Sequence, residues 1–231
     1  IDSLSPSKQR EFLEGIDISL LTVNLWRKIC DIILSDERKK EKDKQTDEHD
    51  EKEKKIDIFY DGNSSHRFHG IIHHLTEKCG GNVNEKGVVT VTASSNNYIC
   101  NKVVDLDSDS IFQTDDTPNQ WVRYDFNERR VRPTHYTIRT RNDNCDGGNP
   151  QNWVIEVSNS GNDNDWKIIE SCQNVTSTQK AGQTVTFKIS KHLQPDEYYR
   201  YIRLRQTGIS SNNFNYLTLV GLEYFGTMIG E

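Results

Sequence analysis

The chain has 231 residues, which is enough for one sizeable domain with an appendage, because single cores usually run to about 100 to 200 residues. Its net charge of −6 at pH 7 argues against a nucleic-acid partner, since phosphate binding depends on clustered lysine and arginine. No apolar run approaches the roughly 20 residues that span a bilayer, so we expect no transmembrane segment.

The N-terminal residues 1–35 have a helical pattern. Asp17 is suited to cap a helix over residues 18–34, in which apolar side chains such as Leu21, Leu25 and Trp26 recur every three or four positions. A helix this small cannot bury such a stripe alone. It packs either on its own chain or on a partner, and the sequence favours neither.

Residues 36–55 (DERKKEKDKQTDEHDEKEKK) contain no apolar side chain and therefore cannot join a core. Opposite charges at spacings of three and four are compatible with a solvated helix, and a disordered linker is the alternative. In either case we expect a spacer before a third region, residues 56–231.

A short amphipathic helix is predicted within residues 66–79, closed by Gly80. His69 and His73 would share one face of this helix, with Cys79 nearby, so a zinc site must be weighed against a plain surface helix. No further ligand pair has zinc spacing, and we favour the surface helix.

From Gly87 onward, short runs alternate apolar and polar residues, with Gly, Asn and Asp between them. The predicted strands are residues 88–93, 121–126, 135–140, 153–158, 166–170, 184–189, 199–205 and 217–225. We expect their core to include Trp121, Phe126, Tyr136, Trp153 and Ile155. With little helix between the strands, the pattern predicts an all-β antiparallel sandwich and excludes a parallel sheet.

Five cysteines form an odd, widely spaced set without a CxxC pair, which favours neither a disulfide framework nor a zinc site: Cys30, Cys79, Cys100, Cys145 and Cys172. Two sequons, at Asn63 and Asn174, point weakly toward secretion. We give the cysteines more weight and expect a cytoplasmic protein, with an extracellular location as the alternative.

Several segments spread through residues 68–226 together resemble the discoidin or coagulation factor 5/8 type C domain family. They are VTASS at 91–95, WVRYDF at 121–126, PTHYTI at 133–138, WVIEVSNSG at 153–161, YIRLRQTG at 201–208 and GLEYFG at 221–226. The wording RPTHYTI and RLRQTG is most similar to an intracellular branch found in protist multidomain proteins and BTB-containing adaptors. The resemblance implies a galactose-binding-like jelly roll, here following a short N-terminal helical segment.

The resemblance also implies a ligand site, because members of this family hold ligands in loops at one end of the sandwich. Those loops correspond to residues 96–101, 141–149 and 208–215. Their polar side chains and rings are suited to recognition, although Asn, Asp and Gly are also simply what turns use. The candidate residues are Asn96, Asn97, Tyr98, Arg141, Asn142, Asp143, Asp146, Asn212, Asn213 and Phe214.

Sugar-binding relatives carry a structural calcium in an Asp-Gly-Asp turn, completed by a glutamate of the last strand. Residues 105–110 (DLDSDS) match that turn with Leu106 in place of the glycine, and Glu223 lies where the glutamate does. The implied ligands are Asp105, Asp107, Ser110 and Glu223, whose oxygens suit a hard cation. No other cofactor is expected.

The sequence predicts a binding module and not an enzyme, because no Ser-His-Asp order and no glycine-rich phosphate loop stands out. Our first expectation is an intracellular module that binds a protein through the loops, within a scaffold or adaptor. The alternative is a lectin-like carbohydrate binder with a structural calcium. Membrane binding is disfavoured, since the loops lack apolar spikes in a basic surround.

Overall fold

The computed structural model describes residues 54–106, 109–143 and 148–230. These residues belong to one compact unit, Lys54–Glu231. The predicted helical segment 1–35 and nearly all of the charged segment 36–55 lie outside the described residues, as do Asp107, Cys145 and Asp146. Their predictions stay predictions.

The described residues form eleven strands and one α-helix, α1 (Ile71–Cys79). The strands are β1 (Ile56–Ile58), β2 (Thr90–Ala93), β3 (Phe112–Gln113), β4 (Trp121–Asp125), β5 (Arg130–Arg139), β6 (Trp153–Ser158), β7 (Lys167–Cys172), β8 (Thr184–Lys188), β9 (Tyr201–Gln206), β10 (Thr218–Leu219) and β11 (Gly221–Ile229). Short 3-10 segments lie at Ser64–His66, Asn97–Val104 and Asp163–Asp165.

Two main sheets carry the fold. One has the order β1-β11-β5-β8, the other has the order β2-β4-β9-β6-β7, and β3 pairs with β10 in a small third sheet. Every strand pairing among the described residues is antiparallel. The prediction of an all-β antiparallel jelly-roll sandwich is confirmed.

Aromatic side chains join the two main sheets through the core. The Tyr124 hydroxyl, on β4, donates to the carbonyl of Leu222 on β11 at 2.8 Å. The indole Nε1 of Trp153, on β6, donates to the Tyr136 hydroxyl on β5 at 2.9 Å. Because buried polar atoms without partners are costly, these two bonds let large polar rings fill the core and fix how the sheets meet.

Four of the five predicted core residues are fully buried, and Trp121 is the exception. On β4 the buried positions are Val122 and Tyr124, so Trp121 lies on the outer face of the strand. There the guanidinium of Arg123 lies 5.4 Å from the centre of the indole ring. The prediction for Trp121 was wrong because strand alternation allows only every second side chain inside.

Strand β5 begins at Arg130, five residues before its predicted start, and runs through Pro133. Pro133 is tolerated because the register of β5 with β11 shifts beside it, where Thr134 is the extra residue of a bulge opposite the step from Phe225 to Gly226. Gly226 has φ 152°, and a Cβ at this position would lie 2.1 Å from the carbonyl oxygen of Arg132. Glycine is therefore required at the bulge.

Helix α1 is anchored to strand β11 by Glu223. The helix lacks a capping side chain at its own N-cap, Gly70. Instead the carboxylate of Glu223 accepts hydrogen bonds from the amides of Ile72 at 2.8 Å and His73 at 2.9 Å. Gly70 permits this approach, since a Cβ there would lie 2.6 Å from the Glu223 carboxyl carbon. The predicted cap at the other end is confirmed, with Gly80 left-handed at φ 69°.

Candidate functional site

The first candidate loop, 96–101, folds into a 3-10 turn and not the open loop expected from the sequence. Asn96 has φ 56°, and its amide donates to the carbonyl of Gln113 at 2.9 Å. Asn97 accepts from the amide of Ala93 at 2.7 Å. Both asparagines therefore shape the turn, and Tyr98, with 82% of its surface exposed, is the side chain left to face a ligand.

The second loop is described only at its two ends. Arg141 donates from Nε to Asp143 at 2.6 Å, and Asn142 donates to Asp109 at 3.1 Å. At the far end, Asn149 is fully buried, and its backbone N–H donates to the Ser211 hydroxyl at 3.1 Å. Asp146 lies between these ends, outside the described residues, so its role stays a prediction.

The third loop, 208–215, is a tight turn with an exposed ring. Ser210 bonds to the carbonyl of Phe214, and Asn213 takes the left-handed conformation at φ 65°. Asn212 donates to the Tyr216 hydroxyl at 2.9 Å. Phe214 stacks on Tyr216 with ring centres 5.1 Å apart and 13° between the planes, and remains 46% exposed. The turn thus presents an aromatic face held flat by a second ring.

The first and third loops are joined through a segment that was not predicted to belong to the site. Asp115 accepts from Asn96 of the first loop at 3.2 Å, and Asp116 accepts from the amide of Asn215 of the third loop at 2.6 Å. The third loop continues to the second, because the amide of Ser211 donates to the carbonyl of Asn149 at 3.0 Å. The acidic turn TDDTP at 114–118 is a signal in the sequence, but its role as a bridge depends on tertiary packing.

Exposed apolar side chains concentrate on these loops. The large hydrophobic residues exposed in the described part of the chain are Phe59, Tyr98, Ile168, Ile209 and Phe214, and three of them lie on the first or third loop. Around them stand the carboxylates of Asp115, Asp116 and Asp143. The arrangement offers rings for stacking and planar side chains that accept or donate hydrogen bonds.

The residues implied as calcium ligands fit that role unevenly. Leu106 has φ 62°, the left-handed conformation that glycine adopts without strain. Asp105 accepts a hydrogen bond from the Asn82 side chain. Ser110 is half-buried, and Asp107 lies outside the described residues.

Glu223 fits a calcium ligand poorly, because both of its oxygens are already engaged. Oε1 accepts from the amides of Ile72 and Tyr224, each at 2.8 Å, and Oε2 accepts from His73. Burial raises the pKa of Glu223 to about 8, while the amide hydrogen bonds act in the opposite direction. A cation would have to compete with these donors, and calcium at the 105–110 turn stays a prediction.

The described ranges contain neither a metal-binding cluster nor a membrane-spanning helix. No cluster of three or more His, Cys, Asp or Glu side chains there could hold a metal ion. Cys79, Cys100 and Cys172 are free thiols. Within the described part of the chain, no helix combines the length and apolar character needed to cross a bilayer.

Comparison with known proteins identifies one family. The model of the F5/8 type C domain matches residues 89–220, more than half of the chain, and includes all three loops. No curated protein matches the chain.

Similar solved structures belong to modules from several organisms. A Clostridium perfringens module, CpGH89CBM32-5, solved with GalNAc-β-1,3-galactose, is 15% identical, with a TM-score of 0.48 over 61% of this chain and 97% of that one. Chitosan-binding module 1 of a Paenibacillus sp. IK-5 chitosanase/glucanase is 17% identical, with a TM-score of 0.46 over 60% and 96%. A striped bass (Morone saxatilis) serum fucolectin is 23% identical, with a TM-score of 0.45 over 63% and 48%.

Proposed function

The chain belongs to the F5/8 type C domain family, and we propose that it is a non-catalytic module that binds carbohydrate through the three loops at one end of its sandwich. Strands β2 and β9 both run antiparallel to β4, so the first and third loops leave the same end of their sheet. Hydrogen bonds join the second loop to the third. One continuous recognition surface results.

The stacked pair Phe214 and Tyr216 carries the proposal. A sugar ring presents C–H groups on its faces, and these pack on a flat aromatic surface of this kind. The contact between the two rings holds Phe214 in place before a ligand arrives, so little side-chain entropy is lost on binding.

Polar groups beside the rings suit the hydroxyls of a sugar. Asn212 and Asn215 supply amides, and Asp116 supplies a carboxylate fixed by Asn215. Such planar groups can accept and donate with fixed geometry, which is how polar ligands are oriented in a site. This combination favours a sugar over a wholly apolar ligand.

A protein partner was the first expectation from the sequence for the ligand of these loops, and it is now the second candidate. A stable protein interface needs roughly 800 Å² on each partner, with an apolar centre. The loops expose three large apolar side chains, separated by polar turns. We therefore place carbohydrate ahead of an adaptor role.

The proposal is tested on a glycan array probed once with calcium and once with a chelator, followed by calorimetry on each sugar that binds. We expect Phe214→Ala to weaken binding roughly tenfold, equivalent to about 1.4 kcal/mol. Phe59→Ala is the matched control, because Phe59 is also exposed, at 54%, but lies outside the loops.

Two results would overturn the proposal. One is an array on which the folded protein binds no sugar under either condition. The other is sugar binding that Phe214→Ala leaves unchanged. Capture of a cytosolic protein that is lost on mutating Arg141 and Phe214 would instead support the protein partner.

A further inference from the structure

A cavity of about 330 Å³ opens beside helix α1, and the candidate loops do not line it. It lies between the 3-10 segment Ser64–His66, the turn into α1 and the facing ends of β5 and β8. Its side chains include Arg67, His69, His73 and Arg139, and none of the described residues that line it is acidic. On a chain whose net charge is −6, such a basic cavity is a distinctive local feature.

Arg67 is the central cation of this cavity. Its Nη1 donates to the carbonyl oxygen of Thr184, which is neutral. Its Nε is buried and has no hydrogen-bond partner among the described residues. Because Nε is closed to solvent, the donors of Arg67 that a ligand can reach are those on its Nη atoms, and the guanidinium keeps its charge at any pH met by proteins.

Arg139 and two histidines line the cavity with Arg67. The Arg139 guanidinium stacks 4.0 Å from the centre of the Phe68 ring, and its Nη1 donates to the carbonyl of Leu106 at 3.2 Å. The rings of His69 and His73 stack 4.6 Å apart beside it. These contacts hold the donors in place instead of leaving them as free surface side chains.

Three acidic side chains on the neighbouring elements have partners other than Arg67. Asp61 bonds to His66 at 2.7 Å, and Glu77 lies 3.6 Å from His73 on the solvent side of α1. The carboxylate of Glu223 accepts hydrogen bonds from the amides at the start of α1. None of the three pairs with Arg67 in the described structure.

We propose that this cavity binds a single oxyanion, a sulfate or carboxylate group, held chiefly by the guanidinium of Arg67. Arginine is suited to this role because its planar fork matches the oxygens of such groups. Ser65 and Thr184 line the cavity and add neutral hydrogen-bonding groups. The site is separate from the proposed sugar loops and does not depend on them.

Calorimetry with sodium sulfate, in a chloride buffer matched for ionic strength, tests the proposal directly. We expect one saturable site, weakened at least tenfold in Arg67→Gln. Arg67→Lys keeps the charge without the fork, and should bind several-fold more weakly than the parent. Arg130→Gln is the matched control, because Arg130 lies at the opposite end of β5 from Arg139.

Titrations with glucuronate and with glucose distinguish the sources of the anion. Binding of sulfate and glucuronate but not glucose supports a site for acidic groups, including those of glycans, whereas binding of sulfate alone supports a site limited to sulfate. Absence of saturable binding by both anions overturns the proposal, as does anion binding that both Arg67 variants retain at full strength while folded. Phe214→Ala should leave anion binding unchanged, so the loop proposal and this one can fail separately.

Discussion

Removal of the Glu223 carboxylate should release helix α1 from strand β11. Glu223 is fully buried, and its two oxygens serve the amides of Ile72, His73 and Tyr224. In Glu223→Ala the amides of Ile72 and Tyr224 would remain buried without an acceptor. Each such donor costs about 1 to 3 kcal/mol, so we expect a loss of roughly 2 to 6 kcal/mol in the free energy of unfolding.

A loss of that size is a large part of the total stability of a domain, which is typically about 5 to 15 kcal/mol. Urea unfolding followed by fluorescence at pH 7 measures it. Glu77→Ala is the control, because Glu77 lies on the same helix with 69% of its side chain exposed. It should change stability by less than about 0.5 kcal/mol.

The raised pKa of Glu223 predicts that the stability of the fold depends on pH. Burial raises the pKa of Glu223 to about 8 from an ordinary value of 4.5. Between these values the folded state holds a proton that the unfolded state has released, so stability falls as the pH rises, by about 1.4 kcal/mol per unit. Below pH 4.5 both states are protonated, and this contribution is constant.

Glu223→Gln isolates the effect, because glutamine cannot titrate. The difference in unfolding free energy between the parent and Glu223→Gln, measured from pH 5 to 9, should shrink as the pH rises. A difference that stays flat would refute the reasoning. A flat difference from pH 5 to 9, with a difference that grows between pH 3 and 4.5, would show that the amide hydrogen bonds outweigh burial and keep the carboxylate ionised.

Three further substitutions test the core and the sheets, each by urea unfolding at pH 7. Gly226→Ala should cost about 3 kcal/mol, because the new Cβ meets the Arg132 carbonyl at 2.1 Å, and a loss below 1 kcal/mol would contradict the bulge geometry. Tyr136→Phe should cost about 1 to 3 kcal/mol, because it leaves the buried Trp153 indole N–H without its acceptor, and a neutral result would show that the bond is not needed. Glu156→Gln should cost about 2 to 4 kcal/mol, because it leaves Arg203 and Arg205 without their shared carboxylate.

The stability that Glu156 contributes should also depend on pH. Burial acts to raise the pKa of Glu156, but hydrogen bonds from Arg205 and Arg203 outweigh it and hold the pKa below the usual 4.5. The contribution of this carboxylate is therefore present at neutral pH and is lost as the pH falls through its lowered pKa. Stability of Glu156→Gln relative to the parent should improve in acid, and an unchanged difference at pH 3 would contradict the ion pair.

Strand patterning made most of the fold predictable. The predicted strand 153–158 matches β6 at both ends, and 121–126 differs from β4 by one residue. Strands of this kind can be predicted because the alternation of apolar and polar residues is a local property of the sequence. Trp121 shows the limit of such local patterns. Which of the two alternating sets of side chains on β4 faces the core depends on the register of β4 with β9 and β2.

The candidate site was predictable in its loops but not in its connections. Tyr98 and Phe214 were chosen from the sequence, and both are exposed, whereas Asn96 and Asn97 are used to shape their turn. The stacking of Phe214 on Tyr216 and the bridge through Asp115 and Asp116 were missed. Asp116 and Asn215 are 99 residues apart, and Asp115 and Asn96 are 19 apart, so no local pattern marks the bridge. Phe214 and Tyr216 are only two residues apart, but their spacing alone does not show that the two rings stack.

The chain's residue order therefore determined its class, its strand alternation and the turns that hold the loops, because each follows from interactions between near neighbours. Folding in three dimensions decided the rest. Glu223 is separated by 151 residues from Ile72, yet it caps the helix that begins there. Arg67 is separated by 117 residues from Thr184, yet the two form one wall of the basic cavity. Such pairings depend on which strands become neighbours, which is a property of the whole sandwich and not of any single segment.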